Sequence, residues 1–143
     1  MVSVSAKFKE LDKYIENFKS LNDEAKENLN DHIAGVLESS TVRRFETEKD
    51  PEGKSWKPNL RGGKILTLHG YLCGSIIGQA TKDYAEVGSV LEYSRIHQEG
   101  GVIQFVKKKG SVTMPARPYL GVSKQDKAAI GRVIESFING ALS

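Results

Sequence analysis

A chain of 143 residues with 38% hydrophobic and 27% charged side chains holds enough apolar material for one core of its own, far from the composition of disordered segments. The net charge of +3 is modest for a nucleic-acid-binding domain, and the lone cysteine, Cys73, excludes an internal disulfide scaffold or a Cys-rich zinc site and reads as a small buried hydrophobe. No run approaches the roughly 20 apolar residues that span a bilayer, and the opening MVSVSAKFKELDK lacks a signal-peptide core, so the expectation is a single domain, residues 1–143, that stays in the cytosol when made.

Charge is spread unevenly. Residues 1–50 carry 8 Lys+Arg against 11 Asp+Glu, a balance of −3, which leaves +6 on the remainder. Two readings stand side by side: ordinary solvated surfaces, or complementary faces that set register when copies associate.

In chain order, Phe8, Leu11, Ile15 and Phe18 recur at helical spacing and predict an N-terminal amphipathic helix over about 5–20, so that 1–22 is expected to be the N-terminal helical part. Asn22 is a good N-cap, and Asp23 and Glu24 follow where the helix dipole favours acids, so a second helix starts there. Its apolar stripe, Leu29, Ile33, Val36, Leu37 and Phe45, carries it to Arg44 or Phe45. Gly35 in its middle costs about 1 kcal/mol relative to Ala and is expected to mark close helix packing or a bend.

Residues 46–64, with Pro51, Gly53, Pro58, Gly62 and Gly63, read as a long loop, of a length usually functional or partly disordered. The lone tryptophan, Trp56, lies in it, as an anchor to the core or as an exposed interface residue. Ile65, Leu66, Leu68, Tyr71 and Leu72 suggest a short helix, weakened by Gly70 and Gly74. Ile76-Ile77 and the alternation from Tyr84 to Gly88, joined by the polar turn Thr81-Lys82-Asp83, predict a β-hairpin. Val90 to Gln98 returns to helical spacing and stops at Gly100-Gly101.

A second hairpin is predicted from Val102–Val106 and Ser111–Met114 around the basic turn Lys107-Lys108-Lys109-Gly110, whose tip should be exposed. Ser123 with Asp126 forms a capping box, and Ile130, Val133, Ile134, Phe137 and Ile138 form the stripe of a closing helix that ends at Gly140. The order of elements argues an α+β fold in which an antiparallel β-sheet of hairpins packs against long amphipathic helices.

Chemistry finds little foothold. His97 and Glu99 are two apart and would point to different helix faces, while His32 and His69 fall on other elements, so no metal or acid/base cluster is visible. Arg61-Gly62-Gly63-Lys64 lacks the spacing of a phosphate-binding loop, and no GxSxG elbow occurs. The reading is therefore no enzyme, no cofactor and no metal. Its competitor is a nucleic-acid-binding protein that contacts phosphates through Lys54, Lys57, Arg61, Lys64 and Lys107 to Lys109, with Trp56 stacking on bases.

Several separated motifs then align. They are Arg44-Phe45 with Asp50-Pro51-Glu52-Gly53-Lys54-Ser55-Trp56; Ile65-Leu66 with His69-Gly70-Tyr71-Leu72 and Ser75-Ile76; Val87-Gly88-Ser89 with Tyr93, Ile96-His97-Gln98 and Gly100-Gly101; and Met114-Pro115-Ala116-Arg117-Pro118-Tyr119-Leu120-Gly121-Val122-Ser123. In this order and spacing, over about 25–140, the chain resembles the phage virion morphogenesis or tail completion family. His69 departs from the Thr more usual there, and the hairpin between Val102 and Met114 falls where length varies.

The resemblance implies a non-enzymatic structural protein that acts late in assembly of the tail or the head-tail joint, in the bacterial host cytoplasm and then in the virion tail or neck. Its implied partners are itself, as a ring-like homo-oligomer with a hexamer among the possibilities, and other tail or neck proteins, with no membrane and no small-molecule substrate. The residues expected at its interfaces are Trp56, Arg61, Lys64, His97, Lys107, Lys108, Lys109, Arg117 and Tyr119. Arg117, stiffened by Pro115 and Pro118, is expected to pair with a carboxylate, either within the chain, as with Glu99, or on a neighbour.

Overall fold

The computed structural model describes residues 2–5, 15–60, 62–66 and 70–140. In order these form β1 (Val2–Ser5), α1 (Ile15–Lys19), α2 (Asp23–Thr47), α3 (Tyr71–Gly74), β2 (Ile77–Ala80), β3 (Ala85–Ser89), α4 (Ser94–Glu99), β4 (Gly101–Gln104), β5 (Ser111–Met114) and α5 (Lys124–Ile138). The class is α+β, as the sequence predicts.

The central element is α2, whose 25 residues make a rod about 37 Å long at 1.5 Å per residue. It begins where Asn22 accepts a hydrogen bond from the Ala25 amide at 2.8 Å and ends at Glu48, which takes a left-handed conformation and donates its amide to Arg44. Its inward face is not purely apolar. Asn30, Thr41 and Arg44 are buried beside Leu29, Ile33, Leu37 and Phe45, because each finds an internal acceptor. Asn30 donates to the Thr81 carbonyl at 2.8 Å and Thr41 to the Leu37 carbonyl at 2.7 Å, so these polar groups enter the core without an orphaned donor.

Against α2 lies a three-stranded antiparallel sheet in the order β1-β3-β2. Gly78 pairs with Val87 and Ala80 with Ala85, which puts these small and buried side chains on the face toward α2, while Ile77 and Gln79 look outward. A Cβ at Gly78 would stand 2.8 Å from the Ala34 carbonyl oxygen, so only glycine lets the strand come this close to the helix. The Gly78 amide, on the outer edge of β2, is taken by Glu38 Oε2 at 2.8 Å, which closes that part of the edge to another strand.

The closing helix α5 packs across α2 with Ile130 and Ile134 buried, and its capping box is formed between Ser123 and Asp126 as predicted. Four expectations need correction. Val2–Ser5 is strand and not part of an N-terminal helix, and of the helix expected over 5–20 only Ile15–Lys19 is seen, residues 6–14 lying outside the described residues. The short helix after the loop is confined to Tyr71–Gly74, Leu68 also lying outside. The second hairpin does not extend the first sheet; among the described residues β4 and β5 pair only with each other, the chain turning after α4 at Gly100 and Gly101, both at positive φ. Finally, among the described residues no atom of another element lies within 4 Å of where a Cβ on Gly35 would be, so close packing against them is not its reason.

Candidate assembly interface

Three of the motifs noted in the sequence meet in one junction at the C-terminal end of α2. Arg44, at the same phase as Leu37 and Thr41, points inward and is buried. Its guanidinium donates to Asp126 Oδ2 at 2.7 Å, to Ser40 Oγ at 3.1 Å and to the carbonyls of Tyr119 and Gly121 at 2.8 and 3.2 Å. Burial pulls the Arg44 guanidinium down from its ordinary pKa, and the neighbouring Asp126 pushes it back up. The same Asp126 oxygen accepts the Ser123 amide at 3.0 Å, so one carboxylate caps α5 and ties it to α2.

Phe45 lies beside two rings, Trp56 at 5.6 Å in edge-to-face geometry and Tyr119 at 5.5 Å. Trp56 donates its indole N–H to the Pro118 carbonyl at 2.8 Å, and Tyr119 donates its hydroxyl to the Ser94 carbonyl at 2.7 Å. Burial pushes the Tyr119 phenol up to about 12. From α4, Gln98 brackets the same segment: its Oε1 accepts the amides of Tyr119 and Leu120, and its Nε2 donates to the Leu120 carbonyl.

Arg117 is buried and donates to the carbonyls of Lys57 and Pro58 at 2.8 and 3.0 Å. Neither Glu99 nor any other carboxylate among the described residues pairs with it. The expected ion pair gives way to backbone acceptors, because the 46–64 loop lies across this segment and brings unpaired carbonyls with it. Pro51 contacts Gly121 so closely that a Cβ there would stand 2.5 Å from its ring.

The residues expected at an interface therefore divide. Trp56, Arg117 and Tyr119 are at most 6% exposed and form the interior of one copy; Trp56 is not available to stack on a base. Lys64 is exposed and donates to the Glu46 carbonyl at 3.0 Å, and Arg61 lies outside the described residues. His97 is half-buried, its ring edge-to-face with Tyr93 and its Nδ1 without a partner among the described residues; burial first and Arg117 second hold its pKa below the ordinary value. Lys107, Lys108 and Lys109 are exposed at the tip of the second hairpin, with the Lys108 ammonium 4.8 Å over the Phe105 ring.

Every residue from Gly101 to Gly110 is exposed, and Val102, Ile103, Phe105 and Val106 are among the exposed large hydrophobics. An isolated two-stranded hairpin is marginal in water, and this one presents apolar side chains and unpaired strand edges together.

A second surface feature lies between α2 and α5, an open groove of about 1090 Å³ floored by Gly35, Val36, Ala129 and Val133. Arg43, Lys49 and Arg132 stand along it, exposed and with no carboxylate partner among the described residues. Its two acids are already engaged, Asp126 with Arg44 and Asp50 with the amides of Glu52 and Lys54. Sequence reading missed this groove and the Arg44–Asp126 pair. The phase of Arg44 within the buried stripe of α2 was the available signal for the pair; nothing local signals the groove.

Among the described residues no group of three His, Cys, Asp or Glu side chains converges as metal ligands would, and no helix is long and apolar enough to cross a membrane. The polar groups of the Arg44 junction are matched inside the fold, while the apolar and basic side chains of the second hairpin are exposed.

The chain belongs to the phage virion morphogenesis family, whose model matches residues 6–139. It is 37% identical over 123 residues to the putative capsid assembly protein G of Escherichia phage Mu, covering 77% of this chain and 78% of that protein. It is similar also to two Mu-like prophage proteins of Haemophilus influenzae: FluMu G protein 2, 35% identical over 105 residues (73% of this chain, 72% of that one), and FluMu G protein 1, 30% identical over 115 residues (71% and 72%). No solved structure matches. Its role is a structural one in virion assembly.

Proposed function

We propose that the chain completes the phage tail or the head-tail joint: copies associate into a ring-like homo-oligomer, of which a hexamer is one form, and the ring docks on neighbouring tail or neck proteins. Assembly takes place in the host cytoplasm, the product is part of the virion tail or neck, and no catalytic step is involved. The observation that carries this reading is the hairpin β4–β5. It holds exposed Val102, Ile103, Phe105 and Val106 beside three lysines, outside both the main sheet and the core, an arrangement whose burial requires another molecule.

The test is complementation of a phage that lacks this chain. Wild-type protein should restore infectious particles, while a variant with Val102, Ile103, Phe105 and Val106 changed to Ser or Thr should leave heads and tails unjoined, or tails unfinished, in electron micrographs. Normal particles from that variant would sink the docking role of the hairpin. Steeply salt-dependent binding of DNA by the wild type, lost when Lys107, Lys108 and Lys109 are changed to Ser, would instead favour the nucleic-acid reading.

A further inference from the structure

We propose that the groove between α2 and α5 receives the acidic stripe at the start of α2, Glu24, Glu27 and Asp31, from a second copy of this chain. The proposal rests on the self-assembly reading above and names the two surfaces that make the contact. Glu24, Glu27 and Asp31 follow i, i+3, i+7 spacing, so they share one face of the helix; all three are exposed and none has a cationic partner among the described residues. Lys82 pairs instead with Asp23, and the Lys26 ammonium lies over the Phe18 ring.

The groove supplies the opposite charge. Arg43, Lys49 and Arg132 are unpaired along it, and the floor of Gly35, Val36, Ala129 and Val133 is small and apolar. Gly35 finds a reason here: it destabilises α2 and a side chain there would meet no other element among the described residues, yet it lets an incoming helix approach the α2 backbone closely. Within one copy the stripe makes no ion pair with the cations of its own groove among the described residues, and Glu27 lies about 24 Å from Arg43 along α2 at 1.5 Å per residue. The occupant that satisfies the charge is thus a neighbouring copy. Joining two different patches of one molecule makes a head-to-tail contact, which closes into a ring or extends as a filament.

Charge reversal tests this on the full chain by light scattering coupled to size exclusion. Glu27→Lys with Asp31→Lys, and separately Arg43→Glu with Arg132→Glu, change only exposed side chains and should keep the wild-type circular dichroism. Each variant alone should fall to monomer at concentrations where wild type assembles, and an equal mixture should assemble again, because basic stripe then meets acidic groove and acidic stripe meets basic groove. Gly35→Leu should fill the groove and abolish assembly without lowering the melting temperature. If wild type assembles and the variants assemble undiminished, or mixing restores nothing, the groove contact is wrong and self-assembly stands. A wild type that is monomeric at every concentration overturns both.

Discussion

The junction around Arg44 and the hairpin β4–β5 both combine cationic and aromatic side chains, and put them to opposite ends. In the junction, arginine, aromatic and proline residues are turned inward and their donors are matched: Arg44 to Asp126 and two carbonyls, Arg117 to two carbonyls, Trp56 to Pro118. In the hairpin, valine, isoleucine, phenylalanine and lysine face solvent, with the Lys108–Phe105 contact as local order. One region is matched within a single copy; the other leaves apolar and cationic side chains exposed to solvent. Residue type alone therefore does not mark an interface. The difference lies in whether the chain itself supplies the partner.

That contrast breaks first at Asp126. Asp126→Ala would leave the Arg44 guanidinium buried without a counter-charge and uncap α5, so chemical denaturation should show a loss of about 3–5 kcal/mol; a loss under about 1 kcal/mol would mean that the junction is not the rigid region. A middle effect is expected at high pH. The Tyr119 pKa is raised in the folded state, so its contribution is complete below the ordinary phenol value near 10 and is lost as pH rises from there through about 12. Stability should fall over that window by roughly 2 kcal/mol, and Tyr119→Phe should remove this part of the pH dependence. The smallest effect belongs to the hairpin. Ser or Thr at Val102, Ile103, Phe105 and Val106, made one at a time, should each change the unfolding free energy by no more than about 0.5 kcal/mol; a larger loss would show that the hairpin serves its own fold.

Much of the fold was legible along the chain, because its signals are local. The Asn22 cap, the Ser123–Asp126 capping box and the stripe of α5 require only neighbours within one or two helical turns, and both hairpins followed from β-rich runs around polar turns. The order of motifs carried the family resemblance. For the conspicuous residues the sequence left core anchor and exposed interface open. Arg117 between prolines, Tyr119 and the lone Trp56 stand out in the sequence, yet the carbonyls they donate to are 25 to 62 positions away. No local pattern encodes such pairings.

The amino-acid sequence by itself determined the α+β class, the long α2 with its cap, the closing helix and the exposed basic turn, since helix caps, periodicity and charge act over a few residues. Only the tertiary structure decided which arginines are buried, that the 46–64 loop is fastened across the Arg117–Gly121 segment, that the second hairpin stands apart from the main sheet, and that α2 and α5 leave a basic groove between them. Those outcomes depend on which backbone carbonyls and side chains come within hydrogen-bonding distance once the helices pack, and that distance is set by the whole fold.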